Sequence, residues 1–370
     1  MRQNSGDTFE FSLIKHIIDG MYDWVRVIDK DDNIIFLNKA MASSLKTSWV
    51  GQKCYRILGR NDPCKNCISR KAVFEGSPQM KEEIINDRIY SVMSSPVRNN
   101  KGEIIYVVEV LRDITEMKLL QEEIIMQNKK LKEDLAIARK LQCSLLPKNI
   151  LDTRFDFSFI YKPCEALGGD FVDIFKIDEN HAGIYIADVS GHGVSASMLT
   201  VFLKSSIDKK LTSPAAALSK LYTEFNRSKY DNDLYITVFY AIIDLENNLL
   251  YYSNAGHSVC PIVYNNREFK ILYSAGVPIS DWIDTPAYED KLLKLEAGDK
   301  LFLYTDGITE LKNKNNEYFG EDRLLNLLLA SNSRPSSTLN RILNKIYEFT
   351  GLSPSSDIPD DITMALVEIL

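Results

Sequence analysis

The stretch GGDFVD, residues 168–173, places two glycines directly before one aspartate, and a second aspartate follows three positions later. A surface turn explains the glycines and one carboxylate, but it does not explain the whole pattern. Aspartates also stand at the ends of three other apolar runs in this half of the chain. These runs are AGIYIAD (182–188), KLFLYTDG (300–307) and DDITMALVE (360–368).

The strand-end aspartates predict a metal site. A carboxylate at the end of a buried strand lies at the rim of the core, where its desolvation is costly unless a cation is nearby. Four such positions converge if the strands lie side by side. Oxygen ligands without Cys or His beside them favour Mg²⁺ or Mn²⁺ over Zn²⁺. Each aspartate alone has a structural alternative, since Asp188 could cap the helix beginning near Val194 and Asp306 could cap GITE (307–310).

The composition is that of a globular chain long enough for two domains. Of its 370 residues, 45% are hydrophobic and 26% are charged, and the net charge is −7. This charge argues against broad nucleic-acid binding, which needs a basic face. No segment approaches the run of about 20 apolar residues that spans a bilayer, and the N-terminal MRQNSGDTFE lacks the apolar core of a signal peptide. We therefore expect a cytoplasmic protein, with reduced thiols and no membrane partner.

Residues 9–112, after an N-terminal tail of residues 1–8, are predicted to form a small α+β domain. Short β-prone runs such as Trp24–Asp29 and Ile34–Leu37 flank the turn residues 31–33. Turn signals between such runs predict antiparallel hairpins.

Residues 113–147 are predicted to form a linker helix. The segment has no glycine, and no proline before Pro147. Apolar residues recur every seven positions and form an imperfect heptad seam: Met117, Ile124, Leu131, Ala138 and Leu145. This pattern fits either a solvated amphipathic helix or a parallel dimeric coiled coil.

Residues 150–370 are predicted to form a larger domain of strands and helices. Hairpin turns such as ENN (246–248), rather than helices, separate several of the strand-like runs. This arrangement favours antiparallel sheets covered by helices over a doubly wound fold.

The same region resembles the metal-dependent protein phosphatase (PPM) family, in particular its SpoIIE-like branch. The resemblance rests on ordered motifs: ARKLQCSLLP (138–147), GGDFVD, ADVSGHG (187–193), TVFYAIID (237–244), NAGH (254–257), GVPIS (276–280), TDGITE (305–310) and DDITMALV (360–367). It implies an αββα sandwich. The letters GGDF (168–171) also resemble the signature of a diguanylate cyclase. That signature has Glu before Phe, whereas Phe171 follows Asp170 directly. Asp170 also comes only 23 residues after Pro147, too soon for the strands and the nucleotide-binding helix that precede the signature in a cyclase.

The resemblance also implies the site residues. The expected ligands of two Mn²⁺ or Mg²⁺ ions are Asp170, Asp188, the backbone carbonyl of Val189, Asp306 and Asp360. Supporting residues or alternative ligands are Asp173, Asp361, Gly191 and Gly193. The implied reaction is hydrolysis of a phosphomonoester by metal-activated water. His192 and His257 are the candidate proton donors to the leaving oxygen.

The N-terminal region resembles a PAS sensor domain. The motifs are VRVIDKDDNIIFLN (25–38), VGQKCYRIL (50–58) and VLRDITEMK (110–118). Its ligand is unknown. Cys54, Cys64 and Cys67 could bind zinc or an iron–sulfur cluster, sense redox state, or be plain structural residues, and the last reading is favoured because a closed metal site needs four ligands.

Taken together, the sequence predicts a PAS-controlled phosphoserine/phosphothreonine protein phosphatase. The resemblance implies a STAS-type anti-sigma-factor antagonist as the substrate, and a homodimer formed through the PAS domain and the coiled coil. The alternative function is a non-catalytic or weakly catalytic signalling scaffold that binds a regulator.

Overall fold

The computed structural model describes residues 5–45, 49–148, 152–229, 233–353 and 356–370. The chain divides after Lys130 into a first and a second unit. Residues 1–4 of the predicted tail, and residue 150, where the larger domain was predicted to begin, lie outside the described residues. Within these ranges, no helix combines the length and the apolar character needed to cross a membrane.

The first unit is a five-stranded antiparallel sheet with helices. Its elements are α1 (Ser5–Asp19), β1 (Trp24–Asp29), β2 (Ile34–Leu37), α2 (Lys39–Leu45), a 3-10 helix (Cys54–Leu58), α3 (Ile68–Glu75), β3 (Gln79–Ile85), β4 (Arg88–Arg98) and β5 (Ile104–Asp113). The strand order is β2-β1-β5-β4-β3. Helix α1 begins inside the predicted N-terminal tail, residues 1–8.

The two faces of this sheet differ. One face packs on the helices, with Ile68 of α3 against Tyr90 and Leu111 of the sheet. The outer sheet face instead exposes apolar side chains: Met80, Ile84, Met93, Val97 and Tyr106. Strand pairing places Met80 opposite Met93 and Val97 opposite Tyr106, so these side chains form one surface.

A 31-residue helix, α4 (Thr115–Leu145), follows the first sheet. Asp113 accepts hydrogen bonds from the backbone N–H and the hydroxyl of Thr115, at 3.0 and 2.6 Å, and so satisfies one N–H of the first turn. The predicted seam residues Met117, Ile124 and Leu131 are all more than half exposed.

The second unit is a four-layer sandwich. Its elements after α4 are β6 (Phe155–Lys162), β7 (Phe171–Lys176), β8 (His181–Val189), α5 (Gly193–Ser206), α6 (Pro214–Ser228), β9 (Ile236–Asp244), β10 (Leu249–Ala255), β11 (Ile262–Tyr264), β12 (Phe269–Ile271), β13 (Lys291–Lys294), β14 (Lys300–Tyr304), α7 (Asp306–Thr309), α8 (Gly320–Leu329), α9 (Pro335–Thr350) and β15 (Ile362–Ile369). Two antiparallel five-stranded sheets have the orders β13-β10-β9-β8-β7 and β12-β11-β14-β15-β6.

Three apolar clusters hold these layers together. The central cluster joins the inner faces of the sheets, with Ile184 of β8 and Phe239 of β9 packed among Leu303 and Val367 of the other sheet. Helices α5 and α6 cover the outer face of the first sheet. Helices α8 and α9 cover the outer face of the second. The αββα sandwich expected from the sequence is confirmed, and it brings the ends of β8, β14 and β15 to one edge.

Candidate active site

Two of the predicted ligands lie on neighbouring strands of the first sheet. Asp170 directly precedes β7, and Asp188 is the last but one residue of β8. Phe171 pairs with Ala187 in the antiparallel ladder, so the next position along the ladder places Asp170 beside Asp188. Asp170 is buried, and the hydroxyl of Thr305 donates to its Oδ2 at 2.7 Å.

The other predicted ligands come from the facing sheet. Asp306 begins α7 directly after β14, and its Oδ2 accepts a hydrogen bond from the hydroxyl of Ser258 at 2.9 Å. Asp360 lies two residues before β15. The backbone N–H of Thr305 donates to the carbonyl of Thr363 at 3.1 Å, which holds the ends of β14 and β15 together.

The aspartates from both sheets act on one another electrostatically. Burial, and then the charges of Asp188 and Asp361, raise the pKa of Asp170 well above its ordinary value. Burial, and then the charges of Asp306, Asp360 and Asp361, raise the pKa of Asp188 to about 7. The side chain of Asp360 is exposed, yet desolvation by surrounding atoms and the charge of Asp306 raise its pKa as well. The sandwich therefore collects negative charge at one edge.

The backbone approaches closely at the paired glycines. A Cβ on Gly169 would lie 3.0 Å from the carbonyl oxygen of Val189 and 3.2 Å from that of Gly191. A Cβ on Gly168 would lie 2.6 Å from Oδ2 of Asp361. These positions need glycine because a side chain would displace the carbonyl oxygens and the carboxylate from the edge that carries the aspartates.

Asp361 is occupied by backbone donors. Its Oδ1 accepts from the N–H of Cys164 at 2.7 Å, and its Oδ2 accepts from the N–H groups of Gly169 and Asp170 at 2.7 and 3.1 Å. Both carboxylate oxygens are thus engaged in holding the loop that carries Asp170. This geometry suits a supporting residue better than a ligand.

Asp173 faces away from the collected carboxylates. It is buried in β7, where its Oδ2 lies 3.3 Å from Nζ of Lys204 and 2.9 Å from Nζ of Lys209. Phe171 and Phe175, two residues before and after it, belong to the cluster beneath α5 and α6, so Asp173 shares their helix-covered face. The structure gives Asp173 an ion-pairing role.

The two candidate histidines have different surroundings. His192 precedes α5 with an exposed side chain, and its Nδ1 lies 2.9 Å from Oε1 of Glu165. His257 is buried, its Nε2 lies 3.0 Å from the carbonyl oxygen of Tyr304, and its Nδ1 lies 3.3 Å from the hydroxyl of Thr237. Burial lowers the pKa of His257. His257 is therefore positioned to join strand ends rather than to reach a substrate.

The loop between β8 and α5 turns at two glycines. Gly191 and Gly193 have φ values of +83° and +77°, a region that other residues rarely adopt. This turn places His192 at the surface.

The donor set fits divalent cations that prefer oxygen. Its members are carboxylates and a backbone carbonyl, and the charges that raise the pKa values of Asp170 and Asp188 are those of other carboxylates. As the side chains stand, no three His, Cys, Asp or Glu residues of the described ranges are arranged to hold an ion. The structure thus brings the predicted ligands to one edge without closing them into a chelate.

Three residues that contact the site have no role in the predictions from sequence: Gln142, Thr305 and Glu165. Gln142, near the end of α4, is buried, and its side-chain nitrogen donates to the carbonyl of Gly168 at 2.8 Å. The N–H of Gly168 donates to the Gln142 side-chain oxygen at 3.3 Å. Gln142 and Thr305 lie inside quoted motifs, so an inspection of motif residues with no assigned role would have found them.

Comparisons with known proteins agree with this architecture. A family model described as Stage II sporulation protein E (SpoIIE) matches residues 178–370, more than half of the chain. A PAS domain model matches residues 22–116. Among solved structures, the SiaA-PP2C domain of Pseudomonas aeruginosa is similar with a TM-score of 0.58 and 22% identity, covering 66% of this chain and 98% of that domain. This likeness supports the fold.

Three curated proteins are similar in sequence. Protein IcfG of Synechocystis is 26% identical over 265 residues, covering 63% of this chain and 41% of that protein. Phosphoserine phosphatase RsbP of Bacillus subtilis is 30% identical over 186 residues, covering 48% and 46%. Phosphoserine phosphatase RsbU of the same organism is 26% identical over 246 residues, covering 64% and 70%. The matched segments span less than half the length of IcfG and RsbP. The chain, with a PAS domain ahead of its phosphatase-type fold, belongs to the Stage II sporulation protein E (SpoIIE) family.

Proposed function

We propose that the chain is a metal-dependent phosphoserine/phosphothreonine protein phosphatase. The observation that carries this proposal is a set of aspartates from both sheets at one edge of the sandwich, where burial and the charges of neighbouring carboxylates raise the pKa values of Asp170, Asp188 and Asp360. Like charges gathered in this way are costly unless a cation compensates them. The names of RsbP and RsbU, phosphoserine phosphatases both, add support.

In this proposal two Mn²⁺ or Mg²⁺ ions are held by the carboxylates of Asp170, Asp188, Asp306 and Asp360 and by the carbonyl of Val189. When bound, such ions supply a nucleophilic hydroxide at neutral pH and neutralise phosphoryl oxygens. Thr305 orients Asp170 through its hydroxyl. Asp361 fixes the loop through three backbone N–H groups, and Gly169 leaves room for the Val189 carbonyl.

His192 is the better proton donor of the two histidines. Its exposed ring lies in the loop that follows Asp188, and Glu165 orients the ring through Nδ1 at 2.9 Å. The leaving serine or threonine oxygen needs a proton as the phosphoryl bond breaks, and an imidazole in reach supplies it. His257 lacks this access because both of its ring nitrogens face protein groups.

A cavity beside the cluster suits a segment of a protein substrate. It has a volume of about 580 Å³, and Cys164, Glu165 and Asp357 are among the residues that line it. Cys164 also donates its N–H to Asp361, so the cavity adjoins the proposed metal centre. We propose a phosphorylated STAS-type anti-sigma-factor antagonist as the substrate, in the cytoplasm.

The PAS domain and helix α4 are proposed to control the reaction in a homodimer. Two exposed apolar surfaces are available for this: the outer sheet face, and the side of α4 that carries Met117, Ile124 and Leu131. At the other end of α4, the side chain of Gln142 donates a hydrogen bond to the carbonyl of Gly168 and accepts one from its N–H, so α4 contacts the loop GGD (168–170) directly. A change in the helix would thus bear directly on the loop that carries Asp170.

The test is phosphate release from a purified phosphorylated STAS protein by the full chain with Mn²⁺. We expect turnover that ends when EDTA is added and that falls by about a thousandfold or more in Asp306→Asn, since a metal ion supplies several kcal/mol of charge stabilisation. Asp322→Asn, an exposed aspartate on α8, is the matched control and should retain the rate. Equal rates in the two variants, or no turnover of any phosphoserine protein with Mn²⁺ or Mg²⁺, would refute the proposal.

A further inference from the structure

Three of the six cysteines of the chain line one small cavity inside the first unit. The cavity has a volume of about 20 Å³, room for one water-sized molecule, and its walls include Cys54, Cys64 and Cys67. All three are free thiols. The proposed phosphatase reaction uses none of them.

The three thiols differ in burial. Cys54 is buried, and burial raises the pKa of its thiol to about 12, so this sulfur stays protonated and unreactive. Cys64 and Cys67 are only half-buried. The guanidinium Nη1 of Arg60 donates to Sγ of Cys64 at 3.1 Å, so the folded chain holds this sulfur in a defined position.

Cys67 occupies a second favourable position. It is the N-cap residue of the eight-residue helix α3, and its side chain makes no capping hydrogen bond. Its sulfur is therefore not committed to the helix backbone. Only Lys65 and Asn66, in a turn, separate it from Cys64.

We propose that Cys64 and Cys67 are a redox-active dithiol that reacts with a hydroperoxide. Cys64 gives its proton to water and its sulfur attacks the terminal oxygen of the hydroperoxide; the O–O bond breaks, and the alkoxide leaves with the electron pair and takes up one proton from water to become the alcohol. Cys67 then attacks the sulfenic acid sulfur: the S–S bond forms, the S–O bond breaks, and water leaves. The two thiols lose two electrons, and the hydroperoxide gains them.

Direct contacts lead from this pair to helix α4. Cys67 is followed in α3 by Ser69, whose hydroxyl donates to Glu109 of β5, and by Arg70, which pairs with Asp32 at 2.5 Å. Strand β5 ends at Asp113, which accepts the first N–H of α4. A disulfide between Cys64 and Cys67 would constrain the start of α3, and so it would shift the hydrogen bond from Ser69 of α3 to Glu109 of β5. Any change in phosphatase rate that results rests on the proposed function.

The test oxidises the reduced full-length protein with hydrogen peroxide and maps its tryptic peptides. Trypsin cuts after Lys65, so the disulfide would join NDPCK (61–65) to NCISR (66–70). We expect this linked pair to form, to disappear with dithiothreitol, and to be absent from Cys64→Ser and Cys67→Ser. Cys143→Ser, which removes the exposed thiol of α4, is the control and should still form it.

The rate of linkage tests the environment of Cys64. It should fall about 10-fold in Arg60→Ala and in the guanidine-unfolded chain, because both lose the hydrogen bond that holds Sγ of Cys64 in position. Oxidation of each cysteine to sulfinic acid without linkage, equal rates in the folded and unfolded chains, or stoichiometric zinc released from these thiols would each overturn the proposal.

Phosphate release by the reduced and the oxidised protein separates the two proposals. We expect at least a twofold difference that dithiothreitol reverses and that Cys67→Ser lacks. Linked peptides with no phosphatase turnover in either state would support the dithiol and count against the proposed function. Phosphate release at the same rate by the reduced and the oxidised protein would overturn the inference that the disulfide acts on the phosphatase through α4.

Discussion

In the first unit the buried carboxylate of Glu109 faces the guanidinium of Arg26 at 2.6 Å, whereas in the second unit the buried carboxylate of Asp170 faces the charges of Asp188 and Asp361. Burial alone would raise the pKa of Glu109, but the charge of Arg26 and the hydroxyls of Ser69 and Ser94 outweigh it and lower the pKa. The pKa of Asp170 is raised instead. A buried carboxylate paired with a cation, such as Glu109 with Arg26, stabilises the core. A group of buried carboxylates without such a partner indicates a binding site for a cation.

Breaking the compensated pair should have the largest effect. Glu109→Gln leaves Arg26 buried without its counter-charge, so we expect it to lower the free energy of unfolding of the first unit by about 3–5 kcal/mol. Amide hydrogen exchange read by mass spectrometry would locate the loss in residues 24–113. Glu103→Gln, at an exposed glutamate of the turn before β5, is the matched control and should change little.

The pairing of Glu109 with Arg26 makes the stability of the first unit depend on pH. Because the pKa of Glu109 lies below its ordinary value of 4.5 in the folded state, its contribution is fully present above about pH 4.5 and is lost as the pH falls further. Glu109→Gln should be less sensitive to pH in this acid range than the unmodified protein. An equal loss of stability on acidification in both proteins would contradict the account of the pair.

Removing the proposed proton donor should have the next largest effect. His192→Ala is expected to lower kcat by about a hundredfold, the usual contribution of a general acid. His181→Ala, at the start of β8 and far along the strand from Asp188, is the control and should leave kcat unchanged. If the two variants have the same kcat, His192 does not protonate the leaving group.

Removing the carboxylate of Asp188 should raise the stability of the metal-free protein, whereas Glu109→Gln lowers stability. Asp188 has a pKa of about 7, so between pH 4 and pH 7 the folded state binds more protons than the unfolded state, and the metal-free protein loses stability as the pH rises. Asp188→Asn should therefore stabilise the metal-free protein at pH 8, by about 1–2 kcal/mol. Urea unfolding in EDTA measures this, and a destabilised variant would mean that Asp188 has a compensating partner.

Much of the fold follows from local sequence. The predicted bounds of Trp24–Asp29 and Ile34–Leu37 match β1 and β2, because turn residues delimit these strands on both sides. Strand β7, Phe171–Lys176, is hard to predict from its sequence because its first five residues are all buried and show no alternation of apolar and polar side chains. The three-residue strands β11 and β12 are too short for any period to appear.

The site was predictable in position but not in detail. Strand-end aspartates indicated the edge where Asp170, Asp188, Asp306 and Asp360 gather, and these assignments as ligands stay predictions. The ion pair of Asp173 with Lys204 and Lys209 depends on packing against a later helix, and no local pattern encodes it. The hydrogen bonds of Asp361 join residues almost 200 positions apart in the chain.

The number of Mn²⁺ ions that the EDTA-treated full-length protein binds decides whether the gathered aspartates form a metal site. Titration calorimetry, with electron paramagnetic resonance of the free ion, measures this number. We expect two ions per chain and weaker binding in Asp306→Asn but not in Asp322→Asn. We also expect release of protons on binding at pH 6, because carboxyls with a raised pKa must ionise to bind the metal. Absence of bound Mn²⁺, or binding that is unaffected by Asp306→Asn, would contradict the proposed metal site.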